Sequence, residues 1–242
     1  MSTDNVSPAN SSAGYADPAN PALPTTGFKL DRTKAALVVI DPQNDFLSPK
    51  GVAWPLVGEC VTENNTIANI GELFKVAKEL SLTVAVSPHY YYPADHHWQF
   101  GGPLEKAMHS INMFDRRGPT SLEGFEGSGA DFLEEYKGYI LDGKTIIASP
   151  HKVYGPETND LILQLRKRGV SQVILAGMAA NLCIESHLRE LIEQGFEVLV
   201  VRDATAGPRV PEGDGYLAAL INYRFLAHAL RTTRETIGDL KA

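Results

Sequence analysis

The run Ala35-Ala36-Leu37-Val38-Val39-Ile40 is apolar throughout, β-branched in its second half, and closed by the carboxylate of Asp41. A half-exposed strand alternates apolar with polar residues. A run that does not alternate suits a strand covered on both faces, as in a parallel sheet. Similar short runs stand at residues 82–86, 145–148, 172–176 and 197–201, and a last strand and helix are expected after Ala227. Between them the spacing turns helical. Ile67, Ile70, Phe74, Ala77 and Leu80 share one stripe, and so do Ile184, Leu188, Leu191 and Ile192. Residues 157–168, 183–194 and 215–226 read as helices, the first two stopped by Gly169 and Gly195. Strand and helix alternate five or six times, which predicts a single α/β domain built on an open, mostly parallel sheet with helices on both faces.

The flanks of this pattern are less regular. Residues 1–27 are rich in Ser, Asn, Ala and Pro and lack apolar periodicity. They are expected to form a flexible tail, or to drape over a neighbouring subunit, ahead of a domain spanning 28–242. No basic start followed by an apolar block is present, so this is not a signal peptide. Residues 42–58 read as a polar loop. Residues 87–143 form a long, aromatic, Gly-rich excursion with short helical candidates at 103–109 and 130–136; loops of such length inside a compact domain usually serve function.

Composition narrows the function classes. The 242 residues are 43% apolar and 21% charged, which excludes a wholly disordered or collagen-like chain. Lys and Arg total 22 against 29 Asp and Glu, a net charge of −7, with no basic cluster; that argues against nucleic acid as a partner. No apolar run nears the ~18 residues a membrane span requires. The two cysteines, Cys60 and Cys183, form no CxxC pair, so neither a disulfide framework nor a Cys-rich zinc site is expected. Reduced thiols in the cytoplasm fit better.

Open α/β sheets place their sites at the carboxyl ends of strands. Asp41 follows the first strand, His89 the second, His151 and Lys152 the third, Asp203 the fifth, and the turn after the fourth leads to Cys183. A carboxylate, an amine and a thiol can thus meet at one edge. Cys183 stands where a strand gives way to a helix, with Asn181 as an N-cap. Free N–H groups there favour a thiolate and can hold an oxyanion. Lys152 would steady negative charge, and Asp41 would take the thiol proton and return it to a leaving amine. The same residues also fit a buried filler cysteine, a surface lysine and a strand-end turn.

Three motifs in order, Val38-Val39-Ile40-Asp41-Pro42-Gln43-Asn44-Asp45-Phe46, His151-Lys152-Val153-Tyr154 and Ala176-Gly177-Met178-Ala179-Ala180-Asn181-Leu182-Cys183-Ile184, resemble the isochorismatase-like cysteine hydrolases. That family includes nicotinamidases and N-carbamoylsarcosine amidases. The resemblance covers the chain from about Lys34 to its C-terminus. It implies a six-stranded Rossmann-like α/β fold and an Asp–Lys–Cys triad, here Asp41, Lys152 and Cys183. It also implies a non-proline cis peptide at Met178–Ala179, which with Cys183 would form the oxyanion site. Two departures stand out. The nicotinamidase branch binds a metal through an Asp-x-His motif, where this chain has Ser87-Pro88-His89; His89, His96 and His97 are the histidines left to hold zinc, and the expectation is no metal and no cofactor. Ala179-Ala180-Asn181 replaces the Thr-Asp or Thr-Asn pair of many members. A retained cysteine implies acyl transfer, because members that cleave the vinyl ether of isochorismate typically lack it.

Substrate contacts are expected from Phe46, His89, Tyr90, Trp98 and Tyr154, with Trp54 a further candidate; Tyr90–Tyr92, Trp98 and Phe100 form an aromatic cluster suited to a planar or apolar small molecule. Cys60 lacks the strand-exit setting and reads as inert. Glu185 and His187 need no catalytic role, and Asp45 reads as a brace for the loop after Asp41. The preferred reading is a metal-independent cysteine amidohydrolase. Its rivals are a vinyl-ether or ester hydrolase and a non-catalytic binding scaffold. The aromatic and Met content of residues 87–143 predicts a homo-oligomer, a dimer or tetramer; the alternative is that the excursion folds back as a lid over its own pocket.

Overall fold

The computed structural model describes residues 18–242. Eight strands appear: β1 (Ala35–Ile40), β2 (Thr83–Ser87), β3 (Ile146–Ile147), β4 (Gln172–Met178), β5 (Glu197–Ala206), the hairpin pair β6 (Arg209–Val210) and β7 (Gly213–Asp214), and β8 (Ala229–Arg231). The helices are α1 (Asn44–Leu47), α2 (Trp54–Glu63), α3 (Thr66–Glu79), α4 (Pro103–Ser110), α5 (Glu134–Ile140), α6 (Leu161–Lys167), α7 (Glu185–Glu193), α8 (Gly215–Leu226) and α9 (Thr233–Lys241). Of the expected tail, residues 1–17 lie outside the described residues. Residues 18–27 carry neither helix nor strand, and Thr26 donates to the carbonyl of His228.

The sheet has six strands in the order β3-β2-β1-β4-β5-β8, every neighbouring pair parallel. The central strands β1 and β4 are buried at every residue, which is why their sequences never alternate. From β1 the chain steps outward to β2 and β3, then crosses back to β4 and steps the other way to β5 and β8. Right-handed crossovers therefore put α3 and α5 on one face and α6, α7 and α8 on the other. The reversal falls between β1 and β4, the place where ligands enter such sheets. Register aligns the exits there: Ile40 lies opposite both Ser87 and Gly177. Asp41 and the turn to Cys183 leave the sheet side by side.

Several elements differ from the sequence expectation. Residues 54–58, the end of the stretch 42–58 read as loop, open α2, with Pro55 at its second position, where a missing N–H costs nothing. Strand β5 continues past Val201 to Ala206, through a register shift against Leu175 and Gly177. Asp203 is therefore inside a strand; it accepts from the N–H and hydroxyl of Thr233 and anchors the start of α9, away from the site. Gly177 is required where it stands: its φ is +117°, and a Cβ would strike the backbone of Ile40.

The excursion folds back on its own subunit. Tyr91, Met108, Met113 and Phe114 are buried, and the N–H of Phe114 is accepted by Asp45 at 2.7 Å. Asp45 thus ties the excursion to the loop after β1. The aromatic and Met content expected to face a partner is mostly spent inside the chain, with Phe100 (92% exposed) and Trp98 (37%) left outside.

Candidate active site

Four groups meet at the β1/β4 exit. Asp41, His89, His151 and Cys183 are all buried, and each offers one polar or sulfur atom within 4.8 Å of the others. Asp41 holds a left-handed backbone (φ 47°) just past β1, with its N–H bonded to the Ser87 carbonyl at 3.0 Å. A non-glycine residue at positive φ is uncommon and marks a constrained position. Gln43, two residues on and fully buried, clamps the neighbouring strand exit. Its side chain accepts from the N–H of His89 at 2.8 Å and donates to the carbonyls of His89 and Ala130.

His151 Nε2 lies 2.8 Å from Asp41 Oδ1. With the carboxylate ionised, that nitrogen carries the proton and donates. Asp41 Oδ2 is buried and has no well-formed hydrogen bond among the described residues. The Cys183 thiol abuts the same carboxylate. Burial first, then the charge of Asp41, push this thiol well above its ordinary value, while the N–H groups of Ala179 and Cys183 lean toward the sulfur and oppose the rise. The N–H groups expected to favour a thiolate are thus outweighed by burial and by Asp41, the group expected to take the thiol proton. The Met178–Ala179 peptide bond is cis. Asn181 caps no helix; it sits inside a wide turn, Ala180–Ile184, and α7 begins only at Glu185.

Lys152 is not brought to this cluster. Its ammonium binds the carboxylate of Asp95 at 2.5 Å and the carbonyl of Tyr90 at 2.8 Å, over the ring of Tyr92. The place expected for it is taken by the adjacent His151. The chain bends directly after His151, and the two side chains of this dipeptide diverge, His151 to Asp41 and Lys152 to Asp95.

Sequence reasoning gave His187 no role in catalysis, and the structure gives it a structural one. Its Nδ1 lies 2.7 Å from the carbonyl of Cys183, so that nitrogen donates and Nε2 accepts from the Ser87 hydroxyl at 3.0 Å. Ser87 in turn accepts from Asn159 at 2.9 Å. This relay fixes the backbone of the cysteine from two other strand exits. Burial, then the neighbouring His151, hold both His187 and His89 well below the usual imidazole range, so both are neutral.

Of the expected substrate contacts, Phe46, His89 and Tyr154 line a cavity that opens onto Cys183 and Ala179. Tyr90 and Trp98 are not among its lining residues. Tyr90 packs edge-on to Phe125 under the Arg116 guanidinium, and Trp98 packs on Tyr91 and His109. Trp54 packs within α2 against Gly58. The trio His89, His96 and His97 is not assembled: His96 binds Asp115 at 2.8 Å. The Asp-x-His position is filled by Ser87, already engaged with His187. The set that could hold a metal among the described residues is Asp41, His89, His151 and Cys183, a donor combination that zinc accepts. Cys60 lies on the buried side of α2, and burial pushes its thiol up to about 11.

The chain matches the isochorismatase domain family over residues 35–233. It is 29% identical to the ureidoacrylate amidohydrolase RutB of Methylobacterium radiotolerans over 198 residues, 78% of this chain and 73% of that protein. It is also 29% identical to the RutB of Pseudomonas syringae pv. syringae over 213 residues, 84% and 81% of the two chains. Among solved structures, a cysteine hydrolase from Pseudomonas syringae pv. phaseolicola superposes with a TM-score of 0.73 at 18% identity, covering 91% of this chain and 99% of that one. An isochorismatase family protein from Burkholderia thailandensis superposes with a TM-score of 0.63 at 20% identity, covering 88% and 98%.

Proposed function

The chain belongs to the isochorismatase family, and from that premise we propose that it is a cysteine amidohydrolase cleaving a small-molecule C–N bond with Asp41, His151 and Cys183. One observation carries the reading: the Cys183 thiol sits against a buried carboxylate whose Oδ1 is held by His151 and whose Oδ2 has no well-formed hydrogen bond among the described residues. The amidohydrolase names of the curated relatives at 29% identity support the bond type.

In this mechanism the thiol proton passes to Asp41 Oδ2 as Sγ bonds to the substrate carbonyl carbon. The carbonyl oxygen becomes an oxyanion near the N–H groups of Ala179 and Cys183. Asp41 then delivers its proton to the nitrogen, the C–N bond breaks, and ammonia or an amine leaves a thioester on Cys183. Water attacks the thioester and gives its proton to Asp41; C–S cleavage releases the acid, and Asp41 returns the proton to sulfur. His151 orients the carboxylate throughout and keeps Oδ1 occupied. A base that starts beside a neutral thiol fits the raised Cys183 better than a preformed thiolate does. No step calls for a metal or an organic cofactor.

A reduced nucleophilic thiol fits the cytoplasm. The homo-oligomer reading now draws on α8 rather than on the excursion: Leu217, Ile221 and Phe225, four residues apart, leave one exposed apolar stripe. The amidase assignment is tested by ammonia release from a panel of neutral primary amides, with Cys183→Ala as control; turnover confined to the wild-type chain is expected, and equal release by both would refute it.

A further inference from the structure

We infer that the acyl part of the substrate is short, aliphatic and uncharged; the inference rests on the amidohydrolase reading above and extends it to a substrate class. The cavity in front of Cys183 is walled by Phe46, Val57, Leu104, Met108, Met113 and Leu182, and the surface facing it is apolar throughout. Cys183 and Ala179 form its floor, and the other polar lining side chains, His89 and Tyr154, bring no cation. A substrate whose carbonyl rests on that floor must send its acyl chain along the apolar walls.

A carboxylate on that chain would be stripped of water with no lining cation to pair with it, which is strongly disfavoured. The cations nearest in the fold are committed elsewhere. Lys152 is held by Asp95 and the Tyr90 carbonyl, Arg116 lies over Tyr90 and Phe125, and Arg209 pairs with Glu63 and Asp214. None of them lines the cavity. Residues 1–17 contain no Lys, Arg or His side chain. This sets the chain apart from the curated relatives, whose printed substrate, ureidoacrylate, is by name an acid. Size narrows the class further. The cavity measures ≈ 70 Å³, well under the ~150 Å³ of an apolar cavity that takes benzene.

The test uses the purified full chain and ammonia release from butyramide, isobutyramide, succinamate and benzamide. Butyramide and succinamate differ by one terminal carboxylate. The expected kcat/KM for butyramide exceeds that for succinamate by about 100-fold or more, and that for benzamide by about 10-fold or more. At the rim of the cavity Ile111 is 41% exposed, and Ile111→Arg there supplies a cation without burying it. This variant is expected to narrow the butyramide-to-succinamate ratio at least about 10-fold. Succinamate turned over as well as butyramide would overturn the inference and leave the amidohydrolase reading standing. An unchanged ratio in folded Ile111→Arg would overturn the assignment of the acyl chain to this cavity. Ammonia from none of the four amides, with no acyl adduct on Cys183, would overturn both.

Discussion

His151 holds one oxygen of Asp41 at 2.8 Å and the other has no well-formed hydrogen bond among the described residues, so a single buried carboxylate is both fixed and available. A carboxylate free to rotate would offer either oxygen to either neighbour. Pinned on one side, it presents a defined base to the thiol, and the left-handed backbone of Asp41 is the local strain that aims it.

That relationship separates His151 from its neighbour. His151→Ala is expected to lower kcat by about 100-fold or more, the usual scale for loss of an acid–base assembly. Lys152→Met is expected to stay within about 10-fold, since its ammonium braces Asp95 and the Tyr90 carbonyl instead of the reacting atoms. Steady-state kinetics on the two variants decides it, and the reverse order would return Lys152 to the triad.

Buried neutral histidines make stability depend on pH. His89 and His187 are held below the usual imidazole range, chiefly by burial, so their folded forms bind protons only at lower pH than the unfolded chain does. Their contribution is present above about pH 6.5 and declines as pH falls further. Urea unfolding at pH 7.5 and 5.5 should show the loss, and His187→Gln should show a smaller one. On the alkaline side Cys60 has the opposite sign. Its folded pKa is raised from 9.0 to about 11, so stability is lost as pH climbs through that window, by up to about 3 kcal/mol, and Cys60→Ala should flatten the fall. Identical pH slopes in variant and parent would contradict either assignment.

The four clustered donors give a prediction about metal. Added zinc is expected to inhibit by engaging Cys183 with Asp41, His89 and His151, and EDTA should restore full activity. The same chelator should leave the untreated enzyme unaffected. Activity lost to EDTA and regained with zinc would instead make the metal part of the working enzyme.

Much of the fold was legible because the central strands are covered on both faces and so carry uninterrupted apolar runs. The runs put Asp41 and Cys183 at strand exits, the three motifs of the family resemblance paired them, and the strand order that sets the two exits side by side is seen only in the fold. The dipeptide His151-Lys152 could not be resolved the same way. Both residues follow one strand, and a one-residue phase decides which faces inward, which depends on how His89 and His151 pair across the exits. Residues 54–58 looked like loop because Pro55 and Gly58 weaken a helical pattern, yet Pro sits at a permissive first turn and Gly58 makes room for Trp54. Tyr90 and Trp98 were legible as aromatic but not as to direction; both pack into their own excursion. His187 and Asn159 reach the site through Ser87, a contact no spacing along the chain reveals.

The central claim, that Cys183 carries the acyl group with Asp41 as its base, is tested most directly by intact-protein and peptide mass spectrometry of enzyme quenched during turnover of butyramide. A butyryl thioester is expected at Cys183, absent from Cys60, and lost in folded Asp41→Asn. Turnover with no adduct at Cys183, or an adduct formed equally fast in Asp41→Asn, would contradict it.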